Sequence, residues 1–148
     1  MKLTITPAPP ETFAELGTWR YEAPYEFYDV DQDPVLNPER YYGAIGEDGT
    51  LAGFYYFEEK GDAVEIGLGL RPDLTGRGLG SEFFGLGLNF ARGHFGAAKI
   101  ILNVAAFNER AIKVYERAGF RETGRHMRRF ARWGEVEFVE MEEAPGRG

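Results

Sequence analysis

The chain predicts an α+β fold in a single domain, and three observations predict it. Two apolar runs joined by the tight turn Gly46–Gly49, and a third run after Gly61 and Asp62, read as a three-strand meander. Three alternating glycines, Gly76, Gly78 and Gly80, then open a stretch whose apolar residues fall at helical spacing. A closing pair of strands folds back around Gly134.

The elements follow in order. Lys2–Thr6 alternates, with Leu3 and Ile5 apolar, and reads as a first strand ended by Pro7, Pro9 and Pro10. Glu11–Trp19 forms a short helix with Phe13, Leu16 and Trp19 on one face. The segment Tyr21–Asp33 breaks pattern, mixing aromatics and carboxylates with no basic residue. Pro38 starts a second short helix or turn. Tyr41–Ile45, Leu51–Glu58 and Ala63–Leu70 are the meander strands; in the last, Val64, Ile66, Leu68 and Leu70 share a face opposite Glu65, Gly67 and Gly69.

Leu79, Phe83, Leu86 and Phe90 mark an amphipathic helix with a wide apolar stripe. It carries Gly85, Gly87 and Gly93, each costing roughly 1 kcal/mol relative to alanine, so close contact with the sheet is expected at these positions. Lys99–Ala105 is a buried strand by its β-branched content. Asn108–Ala118 is a helix with a capping residue at its start and Gly119 just beyond its end. Arg121–Trp133 and Glu135–Glu142 form the closing antiparallel pair, and Ala144–Gly148 is a mobile tail.

At 148 residues, the chain matches one domain of the usual ~100–200 residues and is expected to fold as a unit over 1–148. A net charge of −7 disfavours nucleic acid as a partner, because that partner requires a basic footprint. There is no cysteine, which removes thiol catalysis, disulfides and cysteine-based zinc sites; with only two histidines, His94 and His126, no metal is expected. No apolar run reaches the ~18 residues of a membrane span, and Met1–Glu11 lacks a signal-peptide core, so no membrane association and a cytoplasmic location are expected.

The glycine cluster admits three phosphate-binding readings besides a glycine-rich surface turn. A P-loop ends in Gly-Lys-Ser/Thr, and no lysine stands near Gly80. A dinucleotide fingerprint puts its third glycine where Ser81 or Phe83 stands. The third reading is a pyrophosphate loop, Thr75-Gly-Arg-Gly-Leu-Gly80.

Two motifs decide between them. The first is Glu65-Ile-Gly-Leu-Gly-Leu-Arg-Pro-Asp-Leu-Thr-Gly-Arg-Gly-Leu-Gly80, and the second is Val104-Ala-Ala-Phe-Asn-Glu-Arg-Ala-Ile-Lys-Val-Tyr-Glu-Arg-Ala-Gly-Phe120. In this order and strand context the chain resembles the GNAT (GCN5-related N-acetyltransferase) family from end to end. One departure is Thr75, where the family usually has Gln or Arg. The resemblance implies a central mixed, mostly antiparallel sheet of about seven strands flanked by about four helices. It implies acetyl-CoA as cofactor, with a small-molecule or peptide primary amine as acceptor and direct transfer between them. It also implies a splay between the strands before and after the glycine loop, and the family often forms homodimers.

The cofactor residues so implied are Leu68 and Leu70 on the strand edge, Thr75, Gly76, Arg77, Gly78, Leu79, Gly80 and Ser81 in the loop, and Asn108, Ala111 and Tyr115 on the following helix. Tyr115 is the candidate general acid for departing CoA thiolate; by periodicity alone it reads as a core tyrosine beside Ile112. Glu65 is the candidate general base, with a solvated strand carboxylate as the other reading. The acceptor wall is expected in the aromatic-acidic segment, where Trp19, Tyr25 and Tyr28 offer cation–π contacts and Glu22, Glu26 and Asp29 offer charge; Tyr25, Glu26 and Tyr28 are the substrate candidates. A solvated loop anchored by its aromatics is the competing view. Arg125, Arg128, Arg129 and Arg132 form a basic cluster on the closing hairpin that reads as a solvated strand face, with contact to an acidic substrate group or the 3′-phosphate of CoA as the other reading. A non-catalytic acyl-CoA-binding sensor or docking module is the alternative function.

Overall fold

The computed structural model describes residues 1–28 and 37–144. Asp29 and the tail beyond Ala144 lie outside the described residues. Seven strands form one sheet: β1 (Leu3–Pro7), β2 (Tyr41–Gly46), β3 (Leu51–Lys60), β4 (Ala63–Leu70), β5 (Lys99–Ala105), β6 (Phe120–Phe130) and β7 (Gly134–Glu143). Their order across the sheet is β1-β2-β3-β4-β5-β7-β6, and every neighbouring pair is antiparallel except β4 with β5.

Among the described residues, three α-helices pack on this sheet: α1 (Pro10–Leu16), α2 (Gly80–Phe95) and α3 (Glu109–Arg117). The four expected helices become three, because Pro38–Arg40 closes only a single 3₁₀ turn. Helix α1 also stops short of Trp19. Gly17 donates back to Phe13 O, and Trp19 reaches the same apolar cluster from the following loop, beside Leu16 and Leu51.

The core lies between the sheet and α2. Phe83, Phe84, Leu88 and Ala91 form the buried stripe, packed on Tyr55, Ile66, Ile100 and Leu102. The Tyr55 ring stacks on Phe83 with centroids 4.5 Å apart, and its hydroxyl donates to Phe83 O at 2.6 Å. Gly87 meets the expectation of close contact: a Cβ there would lie 2.6 Å from Tyr55 and 2.9 Å from Ile66. Gly85 and Gly93 do not, since nothing stands within 4 Å of either Cβ position. Period counting puts all three on one helix, but only Gly87 turns toward the sheet.

The parallel pair β4–β5 positions the site. Pairing runs only from Ala63↔Lys99 to Glu65↔Ile101, although the strands continue to Leu70 and Ala105. Beyond Glu65, the β4 edge facing β5 therefore has no ladder partner, as the resemblance implied. An uncovered edge presents backbone N–H and C=O groups to whatever enters beside it.

Candidate active site

A cavity of about 750 Å³ opens along that splay. Its walls are the end of β4, the glycine loop, the end of β5, the first turns of α3 and the tyrosines 21, 25 and 28. Leu68, Leu70, Thr75, Gly76, Gly78, Gly80, Ser81, Asn108, Ala111, Tyr115, Tyr25 and Tyr28 all line it, so most of the residues singled out from the sequence come together. Arg77, Leu79, Glu26 and Glu65 are not among the lining residues.

The loop has the conformation its glycines permit. Gly76 and Gly78 adopt φ of 73° and 76°, where a Cβ is strained. No atom stands within 4 Å of the Gly78 Cβ position, and only Arg110 approaches that of Gly76. The loop thus stays open on the side of these glycines. Leu79, the residue before α2, makes no side-chain cap bond, so among the described residues no cap covers the N–H groups of the first turn. The Thr75 hydroxyl and its backbone N–H both donate to Pro72 O, at 2.6 and 3.2 Å.

Tyr115 packs on Phe84, whose ring in turn meets Phe120, and is 9% exposed. Burial, with a smaller contribution from nearby Tyr28, pushes its phenol well above the ordinary tyrosine range. It therefore carries its proton at any physiological pH. Burial also raises Tyr28 to about 12, partly offset by hydrogen bonds with Asn108 and the Ala105 backbone. Asn108 is the cap that the sequence predicts: its Oδ1 accepts from Ala111 N at 3.2 Å, while Nδ2 donates to the Tyr28 hydroxyl at 3.1 Å. Both ends of its amide are thus engaged within the protein.

The model of the acetyltransferase (GNAT) family matches residues 9–120 of the chain. The chain belongs to the GNAT acetyltransferase family. The mycothiol acetyltransferase of Clavibacter michiganensis is 36% identical over 91 residues, covering 61% of this chain and 29% of that protein. The mycothiol acetyltransferase of Streptomyces coelicolor is 38% identical over 96 residues, 62% of this chain and 30% of that one. These matches span under a third of the relatives' own length. Among solved structures, the spermidine N-acetyltransferase of Vibrio cholerae in complex with CoA and spermine superposes with a TM-score of 0.68 at 19% identity, covering 95% and 94% of the two chains. A likeness at that identity carries the fold.

Within this GNAT domain several expectations change. Trp19 is buried with Leu16 and Leu51 and offers no face to a substrate. Tyr25 does make a cation–π contact, but with Arg110 of the same chain, whose guanidinium carbon sits 4.3 Å over the ring. Glu22 lines a smaller neighbouring cavity with Arg20, Asp73 and Arg110, not the main one. The Tyr25–Tyr28 turn is anchored by Phe27, whose ring packs against Phe107, Phe130, Trp133 and Phe138. That is the anchored-loop view, with Tyr25 and Tyr28 still at the cavity. Arg125 pairs with Glu122 and Glu137, Arg128 lies over Phe138 and Arg132 over Trp133; none of these lines the cavity.

Glu65 is held between two neighbours. Its Oε1 receives Lys60 Nζ at 2.6 Å and its Oε2 receives Asn103 Nδ2 at 3.2 Å. It is neither solvated as the bland reading had it nor in the cavity wall. Tyr21, Arg110 and Asn103 are among the lining residues that were not site candidates from the sequence. Tyr21 donates its hydroxyl to Leu70 O, on the last residue of β4, at 2.6 Å. Arg110 lies inside the second motif and Tyr21 at the head of the aromatic-acidic segment, whereas Asn103 carried no signal. Among the described residues no cluster of His, Asp or Glu suits a metal, and no helix is long and apolar enough to cross a membrane.

Proposed function

We propose that the domain transfers an acetyl group from acetyl-CoA to a primary amine by direct attack, as a cytoplasmic enzyme. The observation that carries this reading is that one cavity unites three separate requirements. These are an open glycine loop at an uncapped helix start, an unpaired strand edge, and a buried protonated tyrosine.

The residues suit the cofactor. N–H groups at the start of α2, from Gly78 to Ser81, would meet the pyrophosphate, with the helix dipole adding to their effect. The edge of β4 at Leu68 and Leu70 would pair with the amide-bearing pantetheine arm as a further strand. Acetyl-CoA supplies an activated acyl carbon, and a β4 backbone N–H would stabilise the developing oxyanion. The amine nitrogen forms its bond to the acyl carbon, the carbon–sulfur bond breaks, and Tyr115 gives its proton to the departing thiolate. The nitrogen loses its extra proton to water. Glu65, engaged by Lys60 and Asn103, does not touch the amine directly. The names of the relatives, mycothiol and spermidine acetyltransferases, support a small-molecule acceptor.

Tyr115→Phe tests the reading. General acid catalysis contributes about 10²–10⁴-fold, so kcat should fall by that order while acetyl-CoA affinity measured by calorimetry stays within twofold. Unchanged turnover would remove Tyr115 from the chemistry. The engagement of Glu65 also suits a second reading, a module that binds acyl-CoA without turnover. Stoichiometric acetyl-CoA binding with no CoA release across a panel of amines would favour that reading.

A further inference from the structure

One polar group in the cavity has no part in the scheme above. Asn103 sits in β5 between the buried Leu102 and Val104, two residues beyond the last β4–β5 pair, and lines the cavity at the splay. Its Nδ2 donates to Glu65 Oε2 at 3.2 Å. Its Oδ1 is buried and has no hydrogen-bond partner among the described residues.

The orientation of this amide is dictated by its neighbour. A carboxylate only accepts hydrogen bonds, so Glu65 can bind the NH₂ end alone, which leaves the oxygen as the unpaired end. Lys60 holds the other carboxylate oxygen at 2.6 Å and keeps Glu65 in place. A buried acceptor without a donor costs free energy, and sites that keep one commonly do so for a ligand. The missing partner is an N–H or O–H donor entering the cavity where β4 and β5 separate.

We propose that Asn103 Oδ1 receives an N–H of the acceptor amine, and that Glu65 is the positioning residue that presents it. This rests on the acetyl-transfer reading and sharpens its substrate class. An amide oxygen is too weak a base to take the proton; it aligns the nitrogen lone pair toward the acyl carbon. A primary amine in its neutral form has two N–H bonds. Both stay on the nitrogen when it bonds to the acyl carbon; one proton then leaves to water, and the remaining N–H stays on Oδ1 as the amide N–H. A secondary amine enters with a single N–H and must release that bond to complete the reaction. The site therefore selects primary over secondary amines.

The test compares wild type with Asn103→Leu, Asn103→Ala, Glu65→Gln and Glu65→Leu. Calorimetry with acetyl-CoA serves as the fold and cofactor control. CoA release is followed with spermidine, glucosamine, butylamine and a tripeptide with a free N-terminus as probes. Both Asn103 variants should bind acetyl-CoA within about twofold of wild type, and kcat/KM for the best probe should fall about tenfold or more. Glu65→Gln, whose amide oxygen still accepts from Nδ2, should retain most of the activity that Glu65→Leu loses. Turnover left intact by Asn103→Leu overturns the inference alone. A loss of acetyl-CoA affinity of about tenfold in that variant gives Oδ1 to the pantetheine arm instead, which also overturns it. Glu65→Gln as inactive as Glu65→Leu makes the carboxylate a base and not a positioning group. Wild-type protein that binds acetyl-CoA and acetylates no probe overturns the transfer reading, and this role with it.

Discussion

Two sets of glycines, Gly53 with Gly87 in the packed interior and Gly76 with Gly78 in the loop, are small for opposite reasons. A Cβ at Gly53 would lie 2.6 Å from Gly69 O and 2.6 Å from the Phe83 ring, and one at Gly87 would meet Tyr55 and Ile66. At Gly78 nothing stands within 4 Å, and the constraint is a positive φ. The first set lets α2 press on the sheet. The second keeps the backbone accessible at the start of that same helix. Interior glycines thus set the position of α2, and loop glycines set what its first turn can bind.

Substitutions at the two sets should therefore fail differently. Gly78→Leu should lower acetyl-CoA affinity by about a hundredfold or more, with stability reduced by only about 1–2 kcal/mol for the left-handed conformation. Unaltered affinity by calorimetry would make the loop structural. Gly53→Ala should do the reverse, costing about 1–3 kcal/mol or more through overpacking against backbone and ring atoms, read as a lowered denaturant midpoint. A variant of Gly53 as stable as wild type would break the comparison from the other side.

The packed interior should also show in alkaline titration. Burial raises Tyr55 and Tyr115 above their ordinary range and Tyr28 to about 12, whereas unfolded tyrosine titrates near ~10. Above pH ~10 the unfolded chain releases protons that the folded chain retains, so these groups make no difference below that pH and lower stability as pH rises through it. Chemical denaturation between pH 8 and ~11.5 should show a plateau and then a decline; a decline beginning near pH 8 would have another cause. The smallest expected effect is Gly93→Ala, which should raise stability by about 0.5–1 kcal/mol because α2 has open space there and gains helix propensity. Destabilisation would mean that Gly93 has a contact role after all.

Much of this was legible in the sequence because it is local. The alternation of β4, the glycine loop, the amphipathic character of α2 with Phe83 in its stripe, and the Asn108 cap each depend on neighbours a few residues away. What the sequence concealed joins distant residues. The Tyr21 hydroxyl bonds a carbonyl 49 positions on, and Glu65 meets Asn103 across 38 positions. No periodicity encodes those meetings. Trp19 and Gly93 show the complementary difficulty: an aromatic near a site and a glycine in a helix have the same composition whether they serve a ligand, the core or neither.

The most direct test of the account is a calorimetric titration of the purified chain with acetyl-CoA. The cavity geometry predicts saturable micromolar-range binding of about one equivalent, weakened by Gly78→Leu and retained by Tyr115→Phe. No heat of binding up to millimolar acetyl-CoA would contradict it, and would leave the glycine loop as a turn that only shapes the start of α2.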